Sequence, residues 1–169
     1  MLKTHHFKGK HGKRISQLTS IFDSVSQSKM FDRILDINSI APLIGYLYNR
    51  KADTDKDDDS EGERQSRATD SEEEDLIFSY RLIMLCDFEY ESDPQKRIEN
   101  AFNLSGDTSE GRKLFNQYLR GGIDVLYEKL IEGKPDPDSY IDRLCDFLKD
   151  LQDKYNNEVN VEEILKLCD

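Results

Sequence analysis

The chain has 169 residues, a hydrophobic share of 36%, a charged share of 35% and a formal net charge of −11 at pH 7. That length suits one domain with appendages, and the acidic balance speaks against a general nucleic-acid coat protein, which is basic overall. No apolar run approaches the roughly 20 residues that span a bilayer, and the basic N-terminus lacks the apolar stretch of a secretion signal, so a cytoplasmic protein without membrane contact is expected.

Residues 1–12 hold Lys3, His5, His6, Lys8, Lys10 and His11 around Phe7, with no periodic apolar face. They read as a flexible basic arm. A helical domain over 13–169 is expected to follow. Its first helix is marked by Ile15, Leu18, Ile21, Phe22 and Val25, and a further apolar set by Met30, Phe31, Ile34 and Leu35. Asn38 or Ser39 then caps a helix whose inner face is Ile40, Leu43, Ile44 and Leu47, with Pro42 tolerated in the first turn.

Residues 52–71 form the core of an acidic stretch that runs to Asp75 and has no apolar side chain larger than Ala68. Such a segment buries too little surface to offset its ordering entropy and is expected to be a mobile loop. Ser71 and the following Glu72, Glu73, Glu74 and Asp75 place negative charge on the first turn of a new helix. That helix, over about 72–89, is apolar almost all round and is expected to be central to the core.

Asp93-Pro94 reads as the start of a helix through Ile98, Ala101 and Phe102. Thr108 or Ser109 opens the longest pattern, a stripe of Leu114, Phe115, Tyr118, Leu119, Ile123, Leu126, Tyr127, Leu130 and Ile131 that Gly133 is placed to end. Gly121-Gly122 interrupts it at about 1 kcal/mol per glycine relative to Ala, which predicts a close backbone crossing or a kink. After Pro135 and Pro137 comes an amphipathic helix with Tyr140, Ile141, Leu144, Cys145, Phe147, Leu148, Leu151 and Tyr155, then a last one from Asn160 through Leu167. No alternating strand pattern of useful length appears. The expected fold is all-α: a single-domain helical bundle with one long acidic loop.

The chemistry-bearing residue types fall short of a catalytic or cofactor site. Setting Asp57 as the first calcium ligand brings Asp59, Glu61 and Gly62 into EF-hand register, but the twelfth position is Ala68 where a bidentate Glu is needed. The histidines sit only in the N-terminal arm, which as a flexible segment would offer neither rigid metal ligation nor a base for a nucleophile. The three cysteines, Cys86, Cys145 and Cys168, lack C-x-x-C spacing and are expected to be free thiols. No phosphate-cradling, dinucleotide or zincin motif occurs, and the Asn103-Leu104-Ser105 sequon has no bearing without secretion. Neither cofactor nor metal is expected.

Three stretches together carry a family likeness. Leu43-Ile44-Gly45-Tyr46 is followed closely by Arg50, and Asp75-Leu76-Ile77 opens the apolar helix. The third is Leu114-Phe115-Asn116-Gln117-Tyr118-Leu119-Arg120-Gly121-Gly122-Ile123-Asp124-Val125-Leu126, running on to Leu130. Over about residues 15–50 and 75–148 the chain resembles the small accessory proteins of bacterial DNA-phosphorothioation (dnd) defence systems. The resemblance implies an accessory role in antiphage defence and supplies no catalytic residues.

Two roles follow as expectations. In the first, a non-catalytic subunit binds a larger protein of a defence complex, and DNA is touched by Lys8, Lys10, Lys13 and Arg14 or by Arg112, Lys113 and Arg120. Tyr118, Gly121, Gly122 and Tyr127 are the candidate docking residues, for a partner or for a homo-oligomer. In the second, the acidic loop occupies a partner's basic surface and DNA is not touched. Salt-dependent binding of duplex DNA separates the two.

Overall fold

The computed structural model describes residue 2 and residues 4–55, 63–102, 109–133 and 136–158. Those residues are mostly helical, with six helices and four short strands. In order they are β1 (Thr4–Phe7), α1 (Gly9–Leu18), β2 (Ile21–Asp23), β3 (Ser28–Lys29), α2 (Ile34–Leu47), β4 (Arg64–Arg67), α3 (Asp70–Cys86), α4 (Pro94–Phe102), α5 (Ser109–Leu130) and α6 (Pro137–Glu158). Instead of one bundle, the chain gathers into two compact units, Met1–Glu128 and Lys129–Asp169.

The basic arm is not a free tail. β1 pairs antiparallel with β4, Thr4 opposite Arg67 and Phe7 opposite Arg64, and buries His5 and Phe7 on its inner side. Periodicity missed this because a four-residue strand with Phe7 as its one apolar residue carries little signal, and its partner lies in the acidic stretch. That stretch is ordered at both ends. Ala52 donates its N–H to Gln117 O at 3.0 Å, Asp53 accepts from Gln117 Nε2 at 2.8 Å, and Ala68 is buried after β4. Residues 56–62, with the start of the calcium register, lie outside the described residues, as do the sequon, Thr108, Cys168 and the last expected helix.

α1 starts four residues earlier than the apolar spacing implies and stops at Leu18. Turn chemistry overrides the helical period there: Asp23 accepts the N–H groups of Val25 at 2.9 Å and Ser26 at 3.2 Å, and Gln27 takes a positive φ of 58°. The resulting β2–β3 hairpin leaves Val25 93% exposed. The N-terminus of α1 has no cap from its own Lys8. Asp55 supplies it, accepting the N–H of Lys10 at 3.1 Å, where the helix dipole favours a carboxylate.

α2 begins at Ile34, so Pro42 lies inside the helix and not in its first turn. Tertiary contacts hold it there. The inner face is Leu35, Ile37, Asn38, Ala41, Pro42, Ile44 and Gly45, and Asn38 Nδ2 donates to Ser66 Oγ of β4 at 2.5 Å. Ile40, expected inside, is exposed.

α3 opens with a reciprocal cap. Thr69 Oγ1 accepts the N–H of Glu72 at 3.4 Å, and Glu72 accepts the N–H of Thr69 at 2.9 Å. Its buried side is Leu76, Ser79, Tyr80, Ile83 and Met84, while Phe78 and Leu82 face outward, so it is not enclosed on several sides as expected. α4 starts as expected, with the Asp93 carboxylate accepting the N–H of Gln95 at 2.9 Å.

The most enclosed helix is α5. Phe115, Tyr118, Leu119, Ile123, Leu126 and Leu130 are all essentially buried. Each such side chain contributes about 1.5–3 kcal/mol of transfer free energy.

The paired glycines of α5 meet α2 and the segment after it. A Cβ on Gly122 would stand 1.7 Å from the carbonyl oxygen of Ala41, one on Gly121 1.8 Å from that of Arg50, and one on Gly45 2.1 Å from that of Tyr118. Backbone packs on backbone at that crossing, as the sequence predicts for Gly121-Gly122.

Candidate functional site

Two buried polar clusters sit on α5, and between them they account for many of the residues singled out in the sequence. The first centres on Asp124, which is 2% exposed. α1 presents three groups to it at helical spacing. Lys10 Nζ lies 3.2 Å from Oδ2, His11 Nε2 lies 3.1 Å from Oδ1, and Arg14 donates a short hydrogen bond to Oδ1. Burial by itself pushes the carboxyl pKa up. The adjacent His11 and the Arg14 guanidinium outweigh it and hold the group well below the usual carboxylate range. The Arg14 guanidinium also lies over the Tyr127 ring, 4.9 Å from its centroid.

The second cluster lies about 9 Å along the helix axis, six residues earlier. Tyr118 Oη donates to Asp87 Oδ2 at 2.7 Å, and Lys51 Nζ stands 3.9 Å from the same oxygen and 4.9 Å from the Tyr118 ring centroid. Burial, then the bond to the Asp87 carboxylate, pushes the Tyr118 hydroxyl far above its ordinary pKa, so it remains a donor. Asp87 also accepts the N–H of Tyr90 at 2.9 Å and so fixes the turn after α3. Replacing Tyr118 by Phe is expected to cost about 1.5 kcal/mol, the value of a hydrogen bond to a buried charge, read by urea denaturation.

These contacts revise several expectations. Lys10 and Arg14 both pair with Asp124, Arg14 largely covered and Lys10 with about half of its side chain still exposed. Arg120 is half-buried and donates from Nε to Ala52 O at 2.9 Å, bracing the start of the acidic stretch; burial draws its pKa down. Tyr118, Gly121 and Gly122 belong to the core and the helix crossing, so they are not an open docking face, and Tyr127 is partly covered beneath Arg14. Lys8, Lys13, Arg112 and Lys113 are exposed. Arg112 and Lys113 sit on the first turns of α5, about 18 Å along the axis from Asp124.

The structure also adds residues that the sequence reading assigned to no site, Asp124, Asp87, Lys51 and Asp55, and it fixes His11, read there as part of a flexible arm, beside Asp124. Asp124 had a signal, as a lone acid inside the apolar run from Leu119 to Leu126. Asp87, Lys51 and Asp55 had none, because their partners are distant in sequence. His5 is buried beside Phe7 and Phe115, and burial lowers its pKa. Among the described residues, no group of three or more His, Cys, Asp or Glu could hold a metal ion. In the second unit, Lys129, Arg143, Asp146, Phe147 and Asp150 line a shallow depression, across which Lys129 and Asp150 pair at 2.8 Å. Both α5 clusters can lock elements together, and the first also holds the Asp124 carboxylate charged. No described helix is long and apolar enough to cross a membrane.

No family model, curated protein or solved structure matches this chain.

Part of the surface away from the clusters is apolar. On α3, Phe78 is 65% exposed with Leu82 one turn on. On α4, Phe102 is 56% exposed with Ile98 one turn before it. The Arg81 guanidinium lies over the Phe102 ring at 5.1 Å, joining the two helices at this surface. Phenylalanine and arginine are residue types enriched where proteins meet proteins.

Proposed function

We propose that the chain is a non-catalytic accessory subunit of a prokaryotic antiphage defence system of the DNA modification or restriction type, acting in the cytoplasm by binding a larger protein. The observation that carries the binding role is the exposed Phe78, Leu82, Ile98 and Phe102 surface on α3 and α4. The defence context rests on the sequence resemblance, whose longest segment, Leu114–Leu126, makes up much of α5. A second reading, an acidic protein that occupies a partner's basic surface without touching DNA, draws support from the internal pairing of Lys10, Arg14 and Arg120 and from the net charge of −11.

Affinity capture from native-like cells, at low and moderate salt, tests the role. The wild-type chain is expected to recover a DNA-modifying, ATPase or nuclease subunit. Phe78→Asp and Phe102→Asp are expected to lower that recovery at least about tenfold, as loss of an aromatic anchor does. Both side chains are exposed, so helicity by circular dichroism should be unchanged. Recovery of this chain alone at both salts, or recovery indifferent to both substitutions, overturns the proposal. Salt-dependent binding of the recovered complex to duplex DNA, absent with the partner alone, would decide for DNA contact over the second reading.

A further inference from the structure

Among the described residues β1 has one strand partner, β4, with Thr4 opposite Arg67 and Phe7 opposite Arg64. On its inner side His5 is 7% exposed and lies against two aromatic rings. The centroid of Phe7 is 6.2 Å away and that of Phe115 on α5 is 6.5 Å away. A histidine can be neutral or charged in the physiological range, and its surroundings decide which. The Nε2 of His5 is buried with no partner in hydrogen-bond geometry, so a second ring proton there would find no acceptor.

The neighbouring charges act in the same direction. α5 presents Arg120 to His5, and His6 adjoins it on β1. β4 sets uncharged Ser66 opposite it, with Gln65 and Arg67 on either side and Arg64 beyond. The acids of these segments meet other groups: Asp53 accepts from Gln117 Nε2 at 2.8 Å, and Glu63 stands 3.9 Å from His6. Asp124 lies eight residues, about 12 Å, along α5 from Asn116. Burial is the largest influence and holds His5 below the ordinary histidine pKa. The Leu2 main chain and the Asn116 side chain act the other way and are outweighed.

We propose that β1 is an acid-sensitive latch: the closed place of His5 favours the neutral ring, and protonation favours the open strand. A histidine that takes up its proton less readily closed than open costs nothing well above the open value of about 6.5. The cost grows as pH falls below that value. β1 is the piece that leaves. β4 keeps its tie to α2 through Asn38 and Ser66, and α1 keeps Lys10 and Arg14 on Asp124, which stays charged over this range. Opening uncovers Phe115 and leaves an edge of β4 unpaired, a backbone row able to accept another strand. The latch stands independently of the partner surface on α3 and α4.

Amide hydrogen exchange of the full chain at about pH 7.5 and about pH 5.5, corrected for intrinsic rates, tests it. Opening of residues 4–7 is expected to rise between about threefold and tenfold at the lower pH, while α5 keeps its protection. His5→Phe keeps a flat ring and cannot titrate, so it should remove the rise. His6→Gln, on the next residue and about half exposed, should keep it. Protection of residues 4–7 that ignores pH overturns the proposal. So does a rise that His5→Phe leaves in place, or one that His6→Gln abolishes. Should His5→Phe fail to fold, NMR titration of the His5 ring protons in the wild-type chain decides. A midpoint well below about 6.5 upholds the latch, and one at or above it overturns the latch.

Discussion

Gly122→Ala is expected to destabilise the chain by about 3 kcal/mol or more, the upper end of the overpacking range. The added carbon would lie 1.7 Å from the carbonyl oxygen of Ala41 and 2.5 Å from its carbonyl carbon. Both are main-chain atoms within α2, so no side chain can rotate out of the way; the helices must part. The gain in helix propensity of Ala over Gly, about 1 kcal/mol, is too small to offset that. Gly111→Ala is the informative control. Its Cβ would meet the Tyr80 hydroxyl at 2.6 Å and the Met84 sulfur at 3.2 Å, both side-chain and not main-chain atoms. A small change is expected there, and a large one at Gly122. Equal losses in urea denaturation would show that the backbone crossing is not the cause.

Asp124→Asn should cost about 2 kcal/mol at neutral pH. Stripping the anion from a fully buried ion pair costs about 3–5 kcal/mol, but Lys10 and Arg14 reach water in part and retain some solvation. The pH dependence identifies the charge as the cause. Because the folded carboxyl pKa is held down, its stabilisation is complete above the unfolded carboxylate value of about 3.9, and it is lost as pH falls through the folded value. Wild type and Asn variant should therefore differ by the full amount at any pH above about 5, by denaturant midpoint at constant slope, and converge in strong acid. A gap independent of pH would mean that shape, and not charge, sets the cost.

The sequence carried the elements whose signal is local and long. The span of α5, the start of α4 at Asp93-Pro94, the acidic first turn of α3 and the close approach at Gly121-Gly122 all follow from residues within a few positions of one another. Where two signals competed locally, the apolar period misled: Ile21, Phe22 and Val25 look helical, but Asp23 and Ser26 make a turn. At Pro42 the local rule for where proline belongs gave way to packing of α2 on its neighbours.

What the tertiary structure alone decided is where the charges go. Lys10, His11 and Arg14 read as a basic tail until Asp124, more than a hundred residues later, gathers them around its buried carboxylate. Tyr118 reads as one more apolar position until Asp87 and Lys51 arrive beside it. The physical reason is one of range. Helical periodicity and capping are encoded within a turn or two and establish the largely helical build, while composition establishes the acidic balance. An ion pair between distant segments is worth enough to persist only after folding has removed its groups from water, so neither partner marks the other in the sequence.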